Sequence, residues 1–194
     1  MIFEGTKVLV CGVPHGGTSL AMKYLVACGI EPGLTQAELG VGGDPAQGWN
    51  RYENQRFVAP IRRRCDWKNL PDRVGDFAMA AEIEAGVRKQ EKHYPGAAVH
   101  GWKCGRALAC MPMLLALFQD LRIVIVRRDF RSNVRALVDY RGLSWMKAAE
   151  IVDTYRRLME RCQVSADYSE DYRVIDVAFE RLIGHDAAWE VEEM

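Results

Sequence analysis

The 194-residue sequence has no excess of either charge: 26 Lys and Arg stand against 26 Asp and Glu. It therefore lacks the bulk field that draws a protein onto nucleic acid or another polyanion, and any anion binding must come from local clusters. No apolar run nears the ~20 residues that a transmembrane helix needs. No signal-peptide pattern opens the chain, so a cytoplasmic protein without a membrane span is the expectation. Six cysteines, at 11, 28, 65, 104, 110 and 162, form no C-x-x-C pair, which excludes a thioredoxin-like or zinc-knuckle motif. They read as reduced thiols, with Cys11 and Cys28 packing as small apolar side chains. His93, His100 and His185 show no ligand spacing with cysteines or carboxylates, so no metal is expected. There is no internal repeat and no low-complexity segment. A chain of this length is expected to form one domain over residues 1–194, with a sizeable core.

What is present is organised around Lys7 to Ile30, KVLVCGVPHGGTSLAMKYLVACGI. Val8-Leu9-Val10-Cys11 reads as a strand buried on both faces of a parallel sheet. After Gly12 come Pro14, His15, Gly16 and Gly17, and Thr18-Ser19 opens a helix. Leu20, Tyr24, Leu25 and Cys28 are predicted to share one face of that helix, and Gly29 to stop it. A glycine turn between a strand and a helix N-terminus converges backbone N–H groups on one point, a ready anion site. On the Walker A pattern, Gly12, Gly17 and Ser19 fall on the two glycines and the final hydroxyl, but Thr18 occupies the lysine position. The loop reads as built for phosphate without the lysine of ordinary ATP or GTP chemistry.

Glu31 to Asn50 is rich in Gly, Pro and Gln, without periodicity, and long for a passive connection. Residues 52–65 are helical in part, with Pro60 predicted to kink or break the helix; Arg62-Arg63-Arg64 reads as a solvated face, with no nucleic-acid role. Residues 75–93 form an amphipathic pattern with Phe77, Ala81, Ile83 or Glu84, and Val87 at helical intervals. Ala97–Lys103 is a short strand, and a helix starts near Met111, with Pro112 in its first turn. Leu121–Val126 is the clearest strand; it ends in Arg127-Arg128-Asp129 and a helix over about 131–140 follows. A further helix fits Ser144–Cys162, with Ser144 as N-cap. Tyr172–Val177 reads as a last strand and Phe179–Ile183 as a short helix. Alternating strands and helices predict an α/β, three-layer P-loop-like fold with a mostly parallel central sheet. Ligands bind such sheets at the carboxyl ends of the strands, where residues 13–19, Lys103 with Arg106, and Arg127 with Arg128 all fall. Trp49 and Trp102 are the tryptophans to watch near an adenine or acceptor.

These residues carry a family resemblance. The first stretch resembles the 5′-phosphosulfate loop of sulfotransferases, P-[KR]-S-G-T-[ST]. GWKCGR is similar to a K-D-P-R element of bacterial members, and LRIVIVRRDFRSNVRAL resembles the 3′-phosphate motif, a strand ending in R-[DN]-P and running into a helix. GWNRYENQRFVAP is similar to a G-[FY]-x-E segment, and DYRVIDVAFERLI resembles a late strand ending in Y-E-[DR]-L. The matches fall in the family's order. The resemblance implies a sulfotransferase using 3′-phosphoadenosine 5′-phosphosulfate (PAPS) as donor, with 3′-phosphoadenosine 5′-phosphate (PAP) as product and no metal. By that correspondence Pro14, His15, Gly16, Gly17, Thr18 and Ser19 cradle the 5′-phosphosulfate. Arg128 pairs with the 3′-phosphate, and Lys103 and Arg106 add positive charge. His15 and Lys103 are candidate catalytic groups, and Glu53 a candidate base for a small-molecule or carbohydrate acceptor.

The chain departs from the pattern at several points. His15 stands where the family has Lys or Arg, Gly16 replaces a serine, and Phe130 replaces a proline. Cys104-Gly105 replaces Asp-Pro, and no late glycine-rich, lysine-bearing segment is found. The serine expected eight residues after Arg128 is Ala136, so Ser132 or Asn133 must substitute. Two alternatives stay open: a divergent P-loop nucleotide or small-molecule kinase, with Asp129 as metal ligand, and a non-catalytic nucleotide-binding member of the same fold.

Overall fold

The computed structural model describes residues 6–33, 54–71, 75–167 and 174–184, except the side chains of 55 and 164–167. Four strands, β1 (Lys7–Gly12), β2 (His100–Lys103), β3 (Leu121–Arg127) and β4 (Val174–Ala178), form one sheet in the order β2-β1-β3-β4. All three pairings are parallel, as the β-branched, doubly buried runs predict. Alternate residues of each strand feed two cores. Leu9 and Cys11 of β1 with Ile123 and Ile125 of β3 face one layer, and Val8 and Val10 with Val124 and Val126 face the other. This period-2 partition makes the sheet the middle of three layers.

α1 (Thr18–Ala27) and α7 (Phe179–Ile183) cover one face through Ala21, Met22, Leu25 and Leu182. Helices α2 (Gln55–Arg64), α3 (Phe77–His93), α4 (Met111–Leu117), α5 (Phe130–Arg141) and α6 (Trp145–Asp167) supply the opposite layer. A 3₁₀ turn over Gly105–Cys110 precedes α4. The helix after β1 thus lies on one face and the helix after β3 on the other. The chain's direction switches between these two central strands, and this opens a crevice at their carboxyl ends.

Several local expectations are corrected. Cys28 is exposed at the end of α1, not packed in the core. The buried stripe is Ala21, Met22 and Leu25, and Cys28 falls past the last helical turn. Phe77 is 94% exposed at the start of α3, whose core stripe is Met79, Ile83, Val87 and Gln90 with Gly86. Pro60 does not break α2, which runs through it. The missing N–H leaves the Arg56 carbonyl without its intrahelical donor, and α3 packs closely there. A Cβ on Gly86 would come within 2.5 Å of that carbonyl oxygen, so only glycine lets the two helices approach this far.

Trp102 is buried in the core, its ring stacked 4.7 Å from that of Phe57; it does not serve an adenine or acceptor. Trp49 and the rest of 34–53 lie outside the described residues. The indole N–H of Trp102 donates to Gln90 Oε1 at 2.6 Å, which also accepts from Asn54 Nδ2 at 2.5 Å. Gln90 Nε2 in turn meets His100 Nδ1 at 3.2 Å. Burial pushes the His100 imidazole below its usual range, so its ring nitrogen is available as acceptor. One glutamine therefore closes the hydrogen bonds of three buried side chains. Gln90→Leu should cost roughly 2–4 kcal/mol, because it strands buried donors without an acceptor. Urea unfolding checks this, and an unchanged midpoint would mean that water replaces the amide.

Candidate functional site

The site grows from the end of β1. Gly12 abuts β3 so closely that a Cβ would lie 2.7 Å from the Val126 carbonyl oxygen. The chain then turns, with Gly16 N–H donating to Val13 O at 2.9 Å. His15 has φ 61°, in the left-handed region that few non-glycine residues occupy. Gly17, with φ 99°, is the N-cap of α1, and no side chain among the described residues caps that helix. The first amides of α1 are left to whatever occupies the crevice. A Cβ on Gly16 would lie 2.8 Å from Val13 O, and one on Gly17 would overlap the Phe179 ring at 2.1 Å. The glycines that read as a phosphate loop are thus required by sterics on both sides.

Parallel register carries the cations to this turn. Val10 of β1 pairs with Lys103 of β2, so Lys103 ends its strand beside the loop and donates to Ser19 Oγ at 3.1 Å. Arg128 follows β3, donates to the His15 carbonyl at 3.1 Å, and lies over the Phe179 ring at 4.6 Å. An open cleft of about 390 Å³ is lined by loop residues together with Arg62, Lys103, Arg106, Arg128 and Arg141, and, among the described residues, by no Asp or Glu. Such a lining selects an anion. Among the described residues no group of His, Cys, Asp and Glu could hold a metal ion, and no helix is long and apolar enough to cross a membrane.

Lys103 is only 5% exposed. Burial lowers its ammonium from 10.5 to about 8, with Arg62 contributing; at pH 7 it remains charged. His15 is lowered to about 4, chiefly by burial and then by Arg141, Lys103 and Arg128, so it is neutral at pH 7. Its ring stacks on Tyr140, with centroids 5.4 Å apart, and Nε2 accepts from Arg141 Nε at 3.0 Å. Because its folded value lies below the unfolded one, protonation favours the unfolded chain. Stability should therefore fall as pH drops from about 6.5 through 4, and NMR titration of His15 checks the assignment.

Of the residues predicted from sequence, Pro14, His15, Gly17, Thr18, Ser19, Lys103, Arg106 and Arg128 line the cleft, and Gly16 is buried in its turn. Arg106 also braces the end of α2, donating to Cys65 O at 2.9 Å. Ser132 does not line the cleft; its backbone N–H is taken by Asp129, the N-cap of α5. Asn133, its neighbour, is the residue buried against the loop. Its Oδ1 has no hydrogen-bond partner and would lie 3.3 Å from a Cβ on Gly16. Glu53 lies outside the described residues.

Sequence reasoning missed Arg62, Trp67, Tyr140, Arg141 and Tyr155. Arg62 belongs to the cleft and is desolvated there, whereas Arg63 and Arg64 pair with Glu82 on α3. The triplet's helical spacing was the available signal: residues 100° apart cannot all face one way.

The fold is that of bacterial sulfotransferases. Sulfotransferase STF1 from Mycobacterium tuberculosis H37Rv matches 96% of this chain and 66% of its own, with a TM-score of 0.58 and 14% identity. The sulfotransferase domain of the curacin biosynthetic pathway matches 97% of this chain and 72% of its own, with TM-score 0.58 and 13% identity. That of the Synechococcus PCC 7002 olefin synthase matches 91% and 66%, with TM-score 0.50 and 15% identity. Identities this low show the fold alone. No protein-family profile matches the chain. An isopentenyl-diphosphate delta-isomerase of Synechococcus sp. is 31% identical over 115 residues, 57% of this chain and 30% of that protein. The chain spans less than a third of that curated relative.

Proposed function

We propose that this protein is a sulfotransferase that takes a sulfuryl group from PAPS and passes it to a hydroxyl or amine of a small-molecule or carbohydrate acceptor. One observation carries the reading: among the described residues, the crevice between β1 and β3 gathers five cations and no carboxylate around an uncapped helix N-terminus. The sulfotransferase fold supports it. A donor with phosphate on both sides of its ribose suits two groups of donors. The amides of residues 17–19 with Lys103 serve one phosphate, and Arg128 serves the other as a guanidinium fork.

The donor supplies a sulfuryl group carried on a phosphate leaving group. As the acceptor oxygen or nitrogen bonds to sulfur, the bond from sulfur to the 5′-phosphate oxygen breaks and its electron pair stays on that oxygen. Lys103 and the loop amides stabilise the charge that gathers there, a gain made mainly in the transition state. His15, neutral at pH 7, supplies hydrogen bonding and no charge. The acceptor's proton goes to a carboxylate or to solvent, Glu53 being the candidate from resemblance. The kinase reading needs a strand-end carboxylate at the phosphates. Asp129 is instead committed to capping α5 and does not line the cleft.

Thermal unfolding with PAP, and separately with ATP and Mg²⁺, tests this. At about a hundred times its dissociation constant a ligand adds roughly 2.7 kcal/mol, or about 5–10 °C for a chain of this size. A shift with PAP, reduced by Arg128→Ala, is expected. A shift with ATP and Mg²⁺ alone would move the assignment to a kinase.

A further inference from the structure

The turn that faces the cleft carries no charge of its own: Val13, Pro14, Gly16, Gly17, Thr18 and Ser19 are uncharged, and His15 is neutral. An anion at the turn's apex needs a cation brought from another element. The structure provides one from the far end of α5. Arg141 is the last residue of that helix, followed by Gly142, whose φ of 61° ends it in a left-handed cap. From there its guanidinium reaches back over the cleft, with Nε donating to His15 Nε2 at 3.0 Å and its plane over the Trp67 ring at 5.6 Å. His15 is itself held on two sides, its ring stacked on Tyr140 and its carbonyl accepting from Arg128. A long, flexible side chain is thereby held through its Nε and its face, and it lines the cleft.

We propose that Arg141 is the cation acting at the apex of the phosphate loop, aimed there by His15, which serves as a neutral clamp. The proposal rests on the sulfotransferase reading and adds to it a residue from outside every motif. It also accounts for a histidine in a strained backbone position at the turn. A lysine or arginine at 15 would set a second positive charge against Arg141, whereas a neutral imidazole accepts its hydrogen bond.

The test is calorimetric binding of PAP and of PAPS, without acceptor, to the full chain and to Arg141→Gln, Arg141→Lys, His15→Lys and the double variant Arg141→Gln/His15→Lys. Melting curves confirm that each is folded. Arg141→Gln should bind PAPS roughly 10- to 100-fold more weakly, the loss expected for one charged hydrogen-bond donor, and Arg141→Lys should recover part of it. His15→Lys alone should lower the melting temperature through like-charge repulsion. In the Arg141→Gln background the same change should restore affinity, because it returns a cation to the apex. A purely structural arginine would not show this reversal. Unchanged affinity in Arg141→Gln, or a double variant no better than that single one, overturns the assignment while leaving the sulfotransferase reading intact. Failure of the unsubstituted protein to bind either nucleotide overturns both.

Discussion

Lys103→Met is expected to stabilise the fold and to abolish transfer. The ammonium is buried, and its value falls from 10.5 to about 8 on folding. The folded chain holds that proton less tightly than the unfolded chain, so below pH 8 the charge costs about 3 kcal/mol. Methionine fills similar space without charge, so at pH 7 the variant should be more stable by up to that order. The advantage should shrink as pH rises from about 8 and vanish above 10.5, where the lysine is neutral in both states. Urea unfolding at pH 7 and pH 10 measures it, and a variant less stable than the parent at pH 7 would contradict the account. Transfer of sulfuryl to any proven acceptor should fall by at least roughly a hundredfold, the loss seen when one pre-oriented electrostatic donor is removed. A group that weakens the fold and sits against an anion-selective turn fits a site kept for function at a cost in stability.

Gly17→Ala should have the largest destabilising effect of any single methyl group in the loop. The new Cβ would lie 2.1 Å from Phe179 Cδ2, and the backbone is at φ 99°. Strain of this kind costs of order 1–3 kcal/mol, and displacement of a packed ring a similar amount. The sum, about 2–6 kcal/mol, corresponds to a fall of roughly 4–24 °C in melting temperature. Function should suffer separately, because Phe179 is the ring on which Arg128 rests. Weaker PAP binding in the surviving folded fraction would show that coupling. Gly29→Ala gives the comparison. It also has positive φ, at 94°, but nothing lies within 4 Å of its Cβ, so it should lose only the backbone part.

The sheet was legible because its signal is local. Runs such as Leu121–Val126 cannot satisfy a helical or half-exposed pattern, and a strand buried on both faces requires helices on each side. The loop was legible for a similar reason, since glycines at 12, 16 and 17 mark turns that side chains would block. In a parallel sheet the basic residues that end or follow β2 and β3 fall at the same, carboxyl edge. Buried faces of helices were less legible. Phe77 and Cys28 are apolar and near the right spacing, but each lies at a helix end, where the stripe no longer meets the core.

Taken alone, the sequence determined the alternation of strands and helices, the glycine turn between β1 and α1, and the positions of Lys103 and Arg128 at strand ends. These depend on periodicity and on backbone sterics within a few residues. Tertiary structure alone decided that Arg62 and Arg141 enter the cleft, that Trp102 leaves it for the core, and that His15 is neutral. Those outcomes depend on which helix face meets which neighbour and on how much water is excluded. A spacing of three or four residues narrows the first and says nothing about the second.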